Sequence, residues 1–135
     1  MTRDIVLLVD RRLGQAAETL QAAGELLTSG HLRDAINRGY YAMFYAGLAL
    51  LASRMLGTSK HSGVIGLFGE HFIKTGQFSE EAGRHLRSAF DLRQKSDYRE
   101  DYNPSREQAE EIVSHAGSFL AEAKVVWERL RAADS

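Results

Sequence analysis

Residues 31–56 read HLRDAINRGYYAMFYAGLALLASRML and form the most apolar stretch of the 135-residue chain. Apolar and aromatic side chains recur there at steps of three and four residues, which aligns them along one side of a helix. They are Ile36, Tyr40, Met43, Phe44, Gly47, Leu48, Leu51 and Met55. Because this stripe is too wide for one narrow seam, the sequence predicts a central helix that ends at Gly57 and contacts several neighbours.

Four further segments show helical signals on either side of this stretch. The same periodicity marks residues 13–27 and 109–130, and Ser105-Arg-Glu-Gln108 matches a capping box at the start of the latter. A short helix is expected from His61, and another from the Ser79 cap towards Tyr98. Since short links favour antiparallel neighbours, the predicted fold class is all-α: an antiparallel up-down bundle of four long helices plus one short helix.

The composition is that of one globular domain, with 44% hydrophobic and 26% charged residues and a net charge of −1. We therefore predict a single helical domain over residues 1–135. The chain has no cysteine, which excludes a disulfide scaffold and a cysteine nucleophile and suggests a cytoplasmic location. The apolar run near the N-terminus is too short for a signal peptide or a membrane span, so no membrane association is expected.

The five histidines give no sign of a metal centre. None of them belongs to a His-x3-His or His-Glu-x-x-His pattern, which would place two ligands one helical turn apart. The glycines likewise form no phosphate-binding loop motif after a strand. We predict neither a metal nor a cofactor.

A first candidate site lies on the central helix, in Asn37-Arg-Gly-Tyr-Tyr-Ala-Met-Phe-Tyr-Ala46. Helical spacing places Arg38, Tyr41 and Tyr45 on one face. A guanidinium fork beside a tyrosine hydroxyl and ring can hold a phosphate or a base. The alternative is that the aromatic residues of this segment are packed core side chains, and spacing alone leaves both interpretations open.

A second candidate site lies towards the end of the fourth helix. Arg93 and Asp97 are four residues apart and Tyr98 follows them. The pair is either an ordinary surface ion pair or a phosphate-binding arginine held in place by Asp97. Residues 84–99 contain five arginine or lysine residues and two aspartates. The second interpretation therefore predicts an anionic ligand, either a nucleotide or an RNA backbone.

Taken together, these motifs resemble those of the HEPN family, the higher eukaryote and prokaryote nucleotide-binding domains. The resemblance is greatest to its small stand-alone bacterial and archaeal branch. Four spaced elements carry it in the same order, namely residues 37–46, Lys60-His-Ser-Gly-Val64, residues 68–76 and Leu92-Arg-x3-Asp97-Tyr98.

The resemblance implies an antiparallel bundle of four to five helices that forms a homodimer. It also implies a partner, a minimal nucleotidyltransferase that forms a toxin–antitoxin pair with such proteins. Active members of the family are metal-independent ribonucleases with an Arg-x4–6-His motif, and the sites of two protomers meet in a dimer cleft. In that chemistry the histidine assists proton transfer at the ribose 2′-hydroxyl and the arginine holds the phosphate.

The sequence departs from the family at this motif. It reads Arg93-Gln-Lys-Ser-Asp97-Tyr98, and no histidine lies five to seven positions after Arg93. Arg54 and His61 have the right spacing but bridge the wrong helix end, so we do not take them as the motif. His61 lies in the Lys-His-Ser-Gly match and is predicted either to line the cleft or to be a structural histidine at the start of its helix.

Three hypotheses follow for the function. The first is a nucleotide- or RNA-binding protein paired with a nucleotidyltransferase, with the related alternative that one tyrosine accepts a nucleotide from that enzyme. Its binding residues are Arg38, Tyr41, Arg93, Asp97 and Tyr98, and its candidate acceptors are Tyr98 and then Tyr102. The second is a metal-independent ribonuclease with an unusual acid/base group and with Arg93 and His61 as catalytic residues. The third is a non-catalytic helical dimerisation scaffold.

Overall fold

The computed structural model describes residues 1–134 and contains four long helices and one short one. They are α1 (Arg3–Thr28), α2 (Leu32–Ala52), α3 (His61–Phe68), α4 (Glu80–Tyr98) and α5 (Arg106–Asp134). A π-helical turn, Gly69–Ile73, extends α3. There is no strand in the described part of the chain, so the predicted all-α helical fold is confirmed. Within residues 1–134, no helix is both long enough and apolar enough to cross a membrane.

Helix α2 lies at the centre of the bundle and packs against each of the other four helices. Most of its wide apolar stripe is buried on more than one side, as its sequence predicts, but Met55 lies beyond the end of the helix and is 80% exposed. The buried residues are Ala35, Ile36, Gly39, Tyr40, Ala42, Met43, Phe44, Ala46, Gly47, Ala49, Leu50, Leu51 and Ala52. Gly39 permits a close approach of α2 to α5, because a Cβ there would lie 2.9 Å from Cγ2 of Ile112.

The end of α2 differs from the prediction. The helix stops at Ala52 rather than at Gly57. Met55 takes the left-handed conformation, with φ of 56°, and the Leu56 N–H donates to the Leu51 carbonyl at 3.0 Å. This is the C-terminal turn in which glycine is usual. Because a methionine occupies that position, the glycine that usually marks a helix end is absent there.

The starts of α4 and α5 agree with the predicted caps. The Ser79 hydroxyl accepts from the Ala82 N–H at 3.1 Å. At α5, the Ser105 hydroxyl accepts from the Gln108 N–H at 3.1 Å, and Gln108 Oε1 accepts in return from the Ser105 N–H at 2.9 Å. Both capping interactions satisfy N–H groups that the first helical turn leaves without partners.

Candidate functional site

Arg93 of α4 lies at the junction of α4 with α2. Its Nη2 donates to the Tyr41 hydroxyl at 3.1 Å, and its Nε lies 3.1 Å from Oδ2 of Asp97. The Nε–H is buried and is not aimed at a good acceptor, so the contact with Asp97 is an ion pair rather than a directed hydrogen bond. The side chains are 11% and 27% exposed, which is less than an ordinary surface pair.

Asn37 of α2 connects this ion pair to a second arginine. Its Nδ2 donates to Asp97 Oδ2 at 3.1 Å, while its Oδ1 accepts from Nε and Nη2 of Arg38 at 3.0 and 2.8 Å. The Arg38 guanidinium carbon also lies 5.0 Å from the centre of the Tyr41 ring. We call Asn37, Arg38, Tyr41, Arg93 and Asp97 the polar network, since each contacts at least one of the others.

Aromatic rings surround the Arg93 guanidinium. The centres of the Tyr40, Tyr41 and Tyr98 rings lie 5.6, 5.4 and 5.5 Å from its central carbon. Tyr40 is fully buried, whereas Tyr98 is 72% exposed. The ring of Tyr45 lies 5.7 Å from that of Tyr41 and extends this aromatic row along α2. One exposed tyrosine ring, that of Tyr98, therefore lies beside the polar network.

His61, the first residue of α3, packs beside the same tyrosines. Its Nδ1 is 3.5 Å from the Tyr40 hydroxyl, and its ring lies 4.4 Å from the Phe44 ring and 5.6 Å from the Tyr41 ring. Burial, and then the positive charge of Arg93, lowers the pKa of His61. Both effects favour the neutral imidazole, which is the form that can accept a proton.

The pKa of Tyr40 is shifted in the opposite direction. Burial raises the pKa of its hydroxyl above the usual tyrosine range, so the group stays protonated and can donate a hydrogen bond to His61. The hydroxyl of this buried residue thus faces the site although its ring belongs to the core.

Not all the predicted candidates lie in this region. The Tyr102 hydroxyl donates to Gln108 Oε1 at 3.0 Å, beside the α5 capping box. Arg54 lies over the Phe72 ring, with 4.8 Å from its guanidinium carbon to the ring centre. Its surroundings are therefore the core around the π-helical turn.

The basic stretch over residues 84–99 is divided between two surfaces. Arg84 and Arg87 line a groove of about 560 Å³ between α3, the π-helical turn and α4, together with Lys74. No predicted binding residue lines that groove. Only the C-terminal half of the basic stretch belongs to the candidate site, because it contains Arg93.

Asn37 and Tyr40 contact the site residues Asp97 and His61 but are not among the predicted binding residues. Asn37 precedes Tyr41 by one helical turn, and this spacing indicates that the two side chains lie on the same face of α2. Its link to Asp97 depends on how α2 packs on α4. Tyr40 belongs to the apolar stripe, and its position there predicts a core ring rather than a hydroxyl at the site.

The arrangement suits the recognition of a phosphate and a base. Guanidinium groups donate to phosphate oxygens in a planar fork, and an exposed aromatic ring offers a stacking surface for a base. Within residues 1–134, no three histidine, aspartate or glutamate side chains converge in a way that could hold a metal ion.

Comparison with known proteins gives the family. The family model described as "HEPN domain" matches residues 9–126. The chain is 37% identical over 124 residues to "Putative toxin MJ0605" of Methanocaldococcus jannaschii, with 92% of each chain covered. It is 32% identical over 116 residues to "Putative toxin MJ0142" of that organism, covering 86% of this chain and 79% of the relative. A UPF0332 protein of Thermotoga maritima is 37% identical over 119 residues, covering 88% and 90%. The chain therefore belongs to the HEPN family.

Proposed function

We propose that this HEPN protein binds a nucleotide or RNA at the polar network and at Tyr98, as the toxin-like member of a two-protein pair. The observation that supports this most is that Arg38 and Arg93 both contact Tyr41, while the ring of Tyr98 is exposed beside them. Phosphate oxygens match the arginines and a base matches the ring. The names of two relatives contain the word toxin, which agrees with the proposed role.

Replacing Tyr98 by alanine tests the stacking surface. We expect the affinity for a fluorescein-labelled single-stranded RNA to fall roughly tenfold, because base–aromatic stacking contributes about 1–3 kcal/mol per base. Fluorescence anisotropy measures this, and Tyr102→Ala is the matched control because the Tyr102 hydroxyl contacts Gln108 at the start of α5, whereas the Tyr98 ring lies beside Arg93. Equal affinities for wild type and Tyr98→Ala would contradict the proposal at this residue.

The proposed partner is a minimal nucleotidyltransferase, and the proposed assembly is a homodimer. Tyr98 is the better of the two candidate acceptors because its ring is exposed, whereas the Tyr102 hydroxyl is hydrogen-bonded. In the transfer, the tyrosine oxygen would attack the α-phosphorus of a nucleoside triphosphate and pyrophosphate would leave. After co-expression with a neighbouring nucleotidyltransferase, the intact mass should increase in Tyr102→Phe and not in Tyr98→Phe. The reverse pattern would assign the modification to Tyr102.

A second candidate function, metal-independent RNA cleavage, is favoured by the position of His61. Its neutral imidazole packs against Tyr41, whose hydroxyl accepts from Arg93. It could take the proton of a ribose 2′-hydroxyl while an arginine stabilises the charge on phosphorus. Cleavage of labelled RNA in the presence of EDTA, lost in both His61→Gln and Arg93→Ala, would support it. No cleavage by the wild-type protein would reject it and leave the binding function.

A further inference from the structure

We infer that Arg38, rather than Arg93, supplies the positive charge that contacts the ligand's phosphate, and that Arg93 is a positioning residue. The inference rests on the proposed nucleotide- or RNA-binding function and assigns different roles in that site to its two arginines. It departs from the expectation carried over with the family motif, in which the arginine at position 93 holds the phosphate.

The surroundings of Arg93 leave little of its charge for a ligand. The Asp97 carboxylate lies 3.1 Å from its Nε, and only 11% of the Arg93 side chain is exposed. Three tyrosine rings cover the guanidinium, and Nη2 already donates to the Tyr41 hydroxyl. An arginine that is paired, covered and hydrogen-bonded in this way fixes α4 against α2.

Arg38 has different partners. Both of its hydrogen bonds end on one neutral atom, Oδ1 of Asn37. No carboxylate of residues 1–134 forms an ion pair with it. An amide oxygen orients the guanidinium without cancelling its charge, so Arg38 retains a full positive charge at the edge of the network. Its Nη1 has no hydrogen-bond partner in the described part of the chain and remains available as a donor.

Asn37 explains why Arg93 is paired with a carboxylate while Arg38 is not. Its amide nitrogen faces the Asp97 carboxylate and its oxygen faces Arg38, so it lies as a neutral spacer between a carboxylate and a cation. A carboxylate in place of this amide would neutralise Arg38 and repel Asp97. The neutral side chain of Asn37 therefore keeps Arg38 free for a phosphate oxygen of a nucleotide or RNA.

The test compares two neutralising changes by the salt dependence of RNA binding. Each phosphate that a protein neutralises on a single strand contributes about −0.7 to the slope of log K against log salt. For a short fluorescein-labelled RNA, Arg38→Gln should lower the affinity roughly tenfold or more and make the slope shallower by about 0.7, since a charged hydrogen bond is lost. The double variant Arg93→Gln/Asp97→Asn keeps the net charge and should leave the slope unchanged while lowering Tm.

Asn37→Asp provides an independent variant, with Asn103→Asp as its control because that change adds the same charge at an exposed position. Asn37→Asp should weaken RNA binding roughly tenfold by pairing with Arg38, while Asn103→Asp should leave the affinity near that of wild type.

The outcomes separate this inference from the proposed function. If the wild-type protein binds no RNA and no nucleoside monophosphate, the proposed function is wrong and the inference falls with it. If the wild type binds but Arg38→Gln keeps the wild-type affinity and slope, only the inference is wrong. A shallower slope in the Arg93→Gln/Asp97→Asn double variant would assign the phosphate contact to Arg93.

Discussion

Replacing Arg93 by methionine is expected to lower the free energy of unfolding by about 2–3 kcal/mol. Methionine retains much of the packing among the tyrosine rings but removes the charge, which leaves Asp97 without its cation and the Tyr41 hydroxyl without its donor. Removing one partner of a fully buried ion pair costs about 3–5 kcal/mol, and the partial exposure of Asp97 reduces this figure. The loss concerns the junction of α2 with α4, where the candidate site lies.

Guanidinium chloride unfolding followed by circular dichroism measures this change. Arg87→Met is the matched control: Arg87 lies on the same helix but is exposed beside the groove, so its replacement should cost less than about 0.5 kcal/mol. Equal midpoints for Arg93→Met and wild type would mean that the ion pair is only a surface contact and that Arg93 does not position α4.

The second large effect is expected at Phe68, the last residue of α3. Its ring centre lies 5.3, 5.1 and 5.5 Å from those of Phe72, Phe78 and Phe119, and the residue is 1% exposed. Truncation to alanine should lower the free energy of unfolding by about 3–5 kcal/mol, since it removes buried area and leaves a cavity among three rings. Thermal or denaturant unfolding measures the loss.

Phe68 also links the core to the candidate site, because α3 begins at His61. A weaker core at the end of this eight-residue helix should increase the motion of His61 beside Tyr40. In the milder variant Phe68→Leu, His61 ring resonances should therefore broaden or shift while those of Tyr98 stay unchanged. Leu7→Ala, at a half-exposed position of α1, should change neither stability nor these resonances. A Phe68→Ala protein as stable as wild type would contradict this role of the phenylalanine cluster.

The helices could be predicted from the sequence because their signals are local. The Ser105–Gln108 capping box and the wide stripe of α2 depend on residues within a few positions of each other, and both occur as expected. The end of α2 was predicted wrongly because Met55 takes the left-handed position that glycine usually occupies. Two backbone hydrogen bonds, from the Met55 N–H to the Ala52 carbonyl and from the Leu56 N–H to the Leu51 carbonyl, close this turn, and no glycine in the sequence marks it.

The candidate site could be predicted only in part, for a similar reason. Arg93 and Asp97 share one helix, so their spacing alone indicated a pair. The bond between Asn37 and Asp97 joins residues 60 positions apart, and it exists only because α4 packs on α2 at one register. The contact of His61 with Tyr40 likewise depends on the path of the link between α2 and α3.

The proposed function requires that a nucleotide or RNA binds where α2 meets α4. Titrating the isotope-labelled protein with adenosine monophosphate and then with a short single-stranded RNA, followed by amide chemical shifts, tests it most directly. We expect the shifted amides to lie in residues 37–45, at His61 and in residues 93–98. Shifts confined to the groove lined by Arg84 and Arg87, or no shifts with either ligand, would contradict it.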